Sequence, residues 1–93
     1  MIIGLMTLEI YLPYSHSLKE KRKTLNKLRD RLKKKHNIAF AELDFQNKWQ
    51  RSTIGLVTLN TQKRIIEKVF QKIVQEAEEN IEGEILQKEI HFF

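Results

Sequence analysis

Ile10-Tyr11-Leu12-Pro13-Tyr14-Ser15-His16-Ser17-Leu18-Lys19-Glu20-Lys21-Arg22 (residues 10–22) is where the chain changes its hydrophobic period, and that change decides the fold. Before it, the even positions Ile2, Met6, Leu8, Ile10 and Leu12 make an apolar face, with Gly4 among them. The odd positions Ile3, Leu5, Thr7, Glu9 and Tyr11 make a mixed one. Alternation of this kind predicts a half-buried strand over residues 2–12. Pro13, the only proline, stops it, because proline cannot donate to a sheet ladder. Ser17 then has the side chain of a helix cap, and Glu20, three residues on, completes a capping box. Leu18, Leu25, Leu28 and Leu32 recur at helical spacing, so the helix is expected to reach about Lys35, with Lys19, Lys23, Lys27 and Lys34 on its wet side.

Working outward, Asn37 suits the end of that helix, since Asn tolerates left-handed geometry. Ile38 to Phe45 reads as a second strand whose inward parity is open. Ala39, Ala41, Leu43 and Phe45 form one apolar set, Ile38 and Phe40 oppose it, and a bulge would reconcile the two. Gln46 to Arg51 is a polar connection, and Ser52 to Leu59 a third strand containing Gly55. Asn60 or Thr61 caps a second helix running to about Asn80, with the stripe Ile65, Ile66, Val69, Phe70, Ile73, Val74 and Ala77. Gly83 turns the chain into a closing strand, Ile85 to Phe92. The order β-α-β-β-α-β is the split β-α-β, ferredoxin-like pattern of an α+β protein. It predicts one domain over residues 1–93: a four-stranded antiparallel sheet of order 4-1-3-2, two helices on one face and right-handed crossovers.

Ninety-three residues with 41% hydrophobic and 31% charged content fit one globular domain. No run of about eighteen apolar residues is present, so no membrane partner is expected. The apolar start Met1 to Met6 lacks a basic leader, and the chain has no cysteine, so the cytoplasm is the expected compartment. Abundant Lys, Glu and Ile without Cys suggests a thermophile. The net charge of +5 is unevenly spread: residues 19–36 carry ten Lys/Arg against two acids, whereas residues 61–90 carry five against seven. That concentration on one element points to a polyanionic partner, RNA before membrane.

The positive charge begins at the wrong end of the first helix. A helix N-terminus disfavours cations by roughly 0.3–1 kcal/mol each. Yet Lys19, Lys21, Arg22 and Lys23 crowd the first turns and only Glu20 opposes them. Together with free backbone N–H groups they would make an anion site. The strand directions bring Ser15, His16 and Ser17 to the same end of the sheet as Trp49, Gln50 and Arg51. One rim is therefore expected to bind nucleic acid through Ser15, His16, Ser17, Lys19, Arg22, Lys23, Lys27, Trp49, Gln50 and Arg51. Arg22 and Arg51 would pair phosphate oxygens and Trp49 would stack a base. Plainer readings stand beside these. Trp49 could cover the end of the core, Arg51 could pair with Glu42 or Asp44, and the Lys run could be a solvated face.

Ser15 to Arg22, followed by Ala41-Glu42, Gln46 and Trp49-Gln50-Arg51, resembles the small bacterial YlxP-like family, a domain of unknown function, over essentially the whole chain. The resemblance implies the ferredoxin-like fold and no assigned activity. Genes of that family often lie beside translation-initiation and ribosome-maturation genes, which implies a connection with RNA or the ribosome. Ser52 stands where that family more often has Ala.

The open sheet face is expected to carry Ile3, Leu5, Val57 and Leu59, with Ile85 as a further candidate. That is a large patch for a monomer, and it predicts self-association as a homo-oligomer. The bland alternative is that Gln87, Lys88 and Glu89 cover it. Sheet-face RNA readers place aromatics on their third strand, and Ser52 to Leu59 has none. Acylphosphatases share the fold class but hold phosphate in a glycine-rich first loop, and Pro13 to Ser17 contains no glycine. His16, His36 and His91 lack metal-ligand spacing, and no acidic residue orients a nucleophile–base pair. The expectation is a non-catalytic protein without cofactor or metal, partnered by RNA or a ribonucleoprotein. The alternative is a dimerisation or protein-interaction module with an acidic protein partner.

Overall fold

Alternation along the first strand determines which face of the sheet is covered. In the computed structural model, which describes residues Met1–Phe93, the elements are β1 (Ile2–Tyr11), α1 (Leu18–Lys35), β2 (Ala39–Asp44), β3 (Arg51–Asn60), α2 (Lys63–Asn80) and β4 (Glu84–Phe92). The sheet runs β2-β3-β1-β4 with every pair antiparallel, which is the predicted 4-1-3-2 order seen from the other edge. Met6, Leu8, Ile10 and Leu12 are buried, as are Ile54 and Leu56 of β3. They meet Leu25, Leu28 and Leu32 of α1 and Ile66, Phe70, Ile73 and Ala77 of α2 in one core, which Ile38 and Ile81 complete. Each such large side chain contributes about 1.5–3 kcal/mol by leaving water. Gly4 belongs to this covered face: a Cβ there would run into Ile66 and Phe70, so its absence lets α2 lie directly on β1.

Two bulges set details that alternation alone could not. In β4, Gln87 pairs with Glu9 and Ile85 with Ile10, which leaves Leu86 as the extra residue. The parity therefore flips, and Ile85 packs against the core instead of joining the open face. Lys88 likewise pairs with Leu8, off the open face, whereas Gln87 and Glu89 sit opposite Glu9 and Thr7 on it. In β2, Leu43 is the extra residue between Glu42 and Asp44, and it lies over Gly55. Ile38 and Phe40 therefore turn toward the core, while Ala39 and Ala41 are exposed.

The helix ends also differ from expectation. His36, with extended backbone, caps α1 in place of a left-handed Asn37. Gln62 precedes α2 without a side-chain cap bond, and the Asn60 carboxamide instead accepts from the Gln62 N–H at 3.0 Å. Ile65 is exposed and stands off the α2 stripe.

Candidate nucleic-acid interface

The start of α1 forms as its sequence demands, and that leaves less of it available to a ligand. Ser17 Oγ accepts from the Glu20 N–H at 3.0 Å, and Glu20 Oε2 accepts from the His16 N–H at 2.6 Å. This is the reciprocal capping box. The Glu20 carboxylate thus already supplies negative charge where an external anion was expected. Ser15 is only 7% exposed, and its hydroxyl donates to the Ser17 carbonyl at 3.3 Å. Both serines spend these hydrogen bonds on holding the loop. Ser17→Ala should lower stability by about 1 kcal/mol, read as a lower urea midpoint at unchanged slope.

Lys21 departs furthest from expectation. It is 0% exposed and shares the inward stripe of Leu25, Leu28 and Leu32. Its Nζ donates to the carbonyls of Phe45 (2.7 Å), Gln46 (3.3 Å) and Arg51 (3.3 Å) and pairs with Glu42 Oε2 at 3.0 Å. Glu42 also accepts from Ser52 Oγ at 2.7 Å. A buried charge needs this much compensation, so Lys21 belongs to the interior and leaves the cationic cluster.

The clamp shapes the connection between β2 and β3. Phe45 has a φ of 62°, the left-handed region, which costs a bulky residue about 1–3 kcal/mol. It is held there from both sides. Its N–H donates to Asp44 Oδ1 at 2.7 Å, and its carbonyl accepts from Lys21 and from the Lys48 N–H at 2.9 Å. Gln50 then joins this connection to the one after β1. Its carbonyl accepts from the Leu12 N–H at 2.8 Å, and its side-chain amide donates to the Pro13 carbonyl at 3.0 Å.

The two stretches, thirty residues apart in sequence, therefore share one rim. His16, Trp49, Gln50 and Arg51 line an open cleft of about 550 Å³ together with Tyr11, Phe45, Asn47 and Lys48. Trp49 is 54% exposed and does not serve as a lid on the core. Arg51 pairs with neither Glu42 nor Asp44. It faces Tyr11 across the β1–β3 ladder, so its guanidinium reaches Glu9 on the same face of β1, at 3.0 Å, and lies 4.9 Å from the centre of the Phe45 ring.

The helix cations form a separate surface. Lys19, Arg22, Lys23 and Lys27 are exposed and line a shallow groove on the outer side of α1 with Asn26 and Asp30. None of them lines the rim cleft; His16, just before the helix, is the residue of the first connection that does. The expected single site is thus two surfaces, an aromatic rim and a cationic helix face. Sequence reasoning missed Tyr11, Phe45 and Lys48 as rim residues and Lys21 as their support. For Lys21 the signal was present, because it precedes Leu25, Leu28 and Leu32 at spacings of four, three and four.

The open face is divided as well. Ile3 pairs with Leu59 and Leu5 with Val57 at one end, beside Phe93, which exchanges backbone hydrogen bonds with Ile3. Thr7, Glu9, Thr53, Gln87 and Glu89 occupy the middle, and Tyr11 and Arg51 mark the rim end. No helix is long and apolar enough to cross a membrane.

A family model described as a protein of unknown function, DUF503, matches residues 3–90. The uncharacterized protein YlxP of Bacillus subtilis (strain 168) is 30% identical over 73 residues, covering 78% of this chain and 79% of that protein. Among solved structures, the structural-genomics protein YJCS is similar with a TM-score of 0.63 at 13% identity, covering 96% of each chain. The de novo designed protein Ferredog-Diesel is similar with a TM-score of 0.52 at 11% identity, covering 96% of this chain and 83% of that one. At such identities the two structures bear on the fold alone.

Proposed function

This chain belongs to DUF503, a family of unknown function, and from that premise we propose that it is a non-catalytic RNA-binding protein that engages RNA or a ribonucleoprotein through the outer face of α1 and the rim. The observation that carries the reading is the set of four exposed cations, Lys19, Arg22, Lys23 and Lys27, gathered on one helix face. Lys19 stands in the first turn, where the helix dipole disfavours it, and Lys19, Lys23 and Lys27 repel one another at i, i+4 spacing, so helix stability does not account for them. A polyanion would neutralise that face and release counterions. In this reading the protein works in the cytoplasm, where its partner is. The test is titration of a labelled oligoribonucleotide across a range of salt concentrations, with native protein and with the four cations replaced by Gln. The native protein should bind with a steep salt slope, and absence of binding at low salt would end the reading.

A second reading is supported by the cross-strand pairs Ile3–Leu59 and Leu5–Val57. Leu59 is 58% exposed, and Phe93 beside them is 72% exposed. We propose that a second copy covers this end of the open face as an isologous pair. Sedimentation at micromolar concentration should give a dimer mass for the native chain and a monomer mass for Val57→Lys with Leu59→Lys. A native monomer would refute it.

A further inference from the structure

Resting on the RNA reading, we propose that the rim cleft selects unpaired nucleobases, so that the preferred RNA presents a short single-stranded end, loop or bulge rather than continuous duplex. Three aromatic side chains reach one cleft from three places: Tyr11 from the end of β1, Phe45 from the residue after β2, and Trp49 from the connection to β3. A-form duplex keeps its bases stacked inside and offers proteins its 2′-hydroxyls, phosphates and a shallow minor groove. An aromatic wall gains little from that surface and much from a base that can leave the stack. The cations are arranged to match. Lys48 lines the same cleft beside His16, and Arg51 is held by Glu9 with its guanidinium 4.9 Å from the centre of the Phe45 ring.

Two further features shape the ligand. The cleft is preformed, because Lys21 clamps the Phe45 and Arg51 carbonyls of its wall and that of neighbouring Gln46, and Gln50 ties the wall to Pro13. An incoming base therefore meets little ordering cost. The strand cannot continue across the sheet as it does on sheet-face readers. The middle of the open face offers phosphate no cation: it carries Thr7, Thr53, Gln87, the Glu89 carboxylate and Glu9, which is already paired with Arg51. The route left to the backbone runs past His16 toward Lys19 and Arg22. That limits the unpaired stretch to the few nucleotides the cleft can hold.

Trp49 is the only tryptophan, so its emission reports on the cleft without labelling the protein. The probes are a short mixed-sequence single-stranded oligoribonucleotide and its blunt duplex, each titrated into the intact protein while anisotropy of the labelled RNA and Trp49 emission are recorded. The single strand should quench Trp49 and bind about 5- to 150-fold more tightly than duplex per stacked base. Trp49→Ala should lower single-strand affinity to the level of duplex, and Trp49→Phe should retain most of it. If Trp49→Ala does not fold, quenching in the native protein decides. Equal affinity for single strand and duplex with unchanged emission would overturn the inference while the RNA reading stood. Failure of both RNAs to bind would end the RNA reading and the inference with it. Quenching by a poly-glutamate peptide at the affinity of the single strand would assign the cleft to acidic protein and overturn the proposal.

Discussion

Lys21→Met should destabilise the protein by about 2–4 kcal/mol, because it removes the buried half of an ion pair, and the Glu42 carboxylate left behind is 21% exposed and rehydrates in part. Glu42 would lose its cation, and the carbonyls of Gln46 and Arg51 would lose a donor that no side-chain change elsewhere can restore. A domain of this length is stable by roughly 5–14 kcal/mol, so the loss is a large fraction of the whole. The apolar pair Lys21→Met with Glu42→Met separates the two contributions. Replacing both charges relieves the stranded carboxylate but leaves the Gln46 and Arg51 carbonyls without the Lys21 donor, while Phe45 keeps its bond from Lys48, so the double variant should recover only part of the loss. Chemical denaturation of the native protein, of Lys21→Met and Glu42→Met singly and of the double variant completes the cycle. A loss below about 1 kcal/mol for Lys21→Met would show that the clamp does not hold the fold. The connection between β2 and β3 should loosen first, seen as faster amide exchange at Lys48, whose N–H bonds the clamped Phe45 carbonyl.

The second large effect is on binding. For single strands log K changes with log salt by about 0.7 per phosphate contact. Neutralising Lys19, Arg22, Lys23 and Lys27 to Gln should therefore reduce the slope by about 3 and weaken RNA binding at 0.1 M salt by roughly 500-fold. The same substitutions remove cations from the early turns of α1, so stability should hold or rise slightly. Filter binding and a thermal melt on one preparation would show both. Unchanged affinity would remove the helix face from the interface.

Much of the architecture was readable because local signals agreed with one another. Alternation in β1, the stop at Pro13, the Ser17–Glu20 box and the α2 stripe each implied the same topology. The convergence of residues 15–17 with residues 49–51 followed from strand direction alone. What escaped depended on register and on residue type. A lysine in an apolar stripe looks like a solvated residue until the carbonyls it serves are known, and those lie 24 to 30 residues away. The Glu9–Arg51 pair needs the β1–β3 register, and the inward turn of Ile85 needs the Leu86 bulge. The left-handed Phe45 had no signal at all, since neither Gly nor Asn marks it.

The reciprocal bonds between Ile3 and Phe93, at 2.9 and 2.8 Å, place the first strand's beginning beside the last residue described. The rim lies at the other end of β1, about eight residues or roughly 27 Å away. A fluorescent label or surface anchor attached beside Ile3 or Phe93 would thus sit at the opposite pole from Trp49, leaving the cleft unobstructed in an immobilised assay. A short peptide joining Phe93 to Met1 would close residues 1–93 into a ring, which could then be reopened at another turn to give a circularly permuted form.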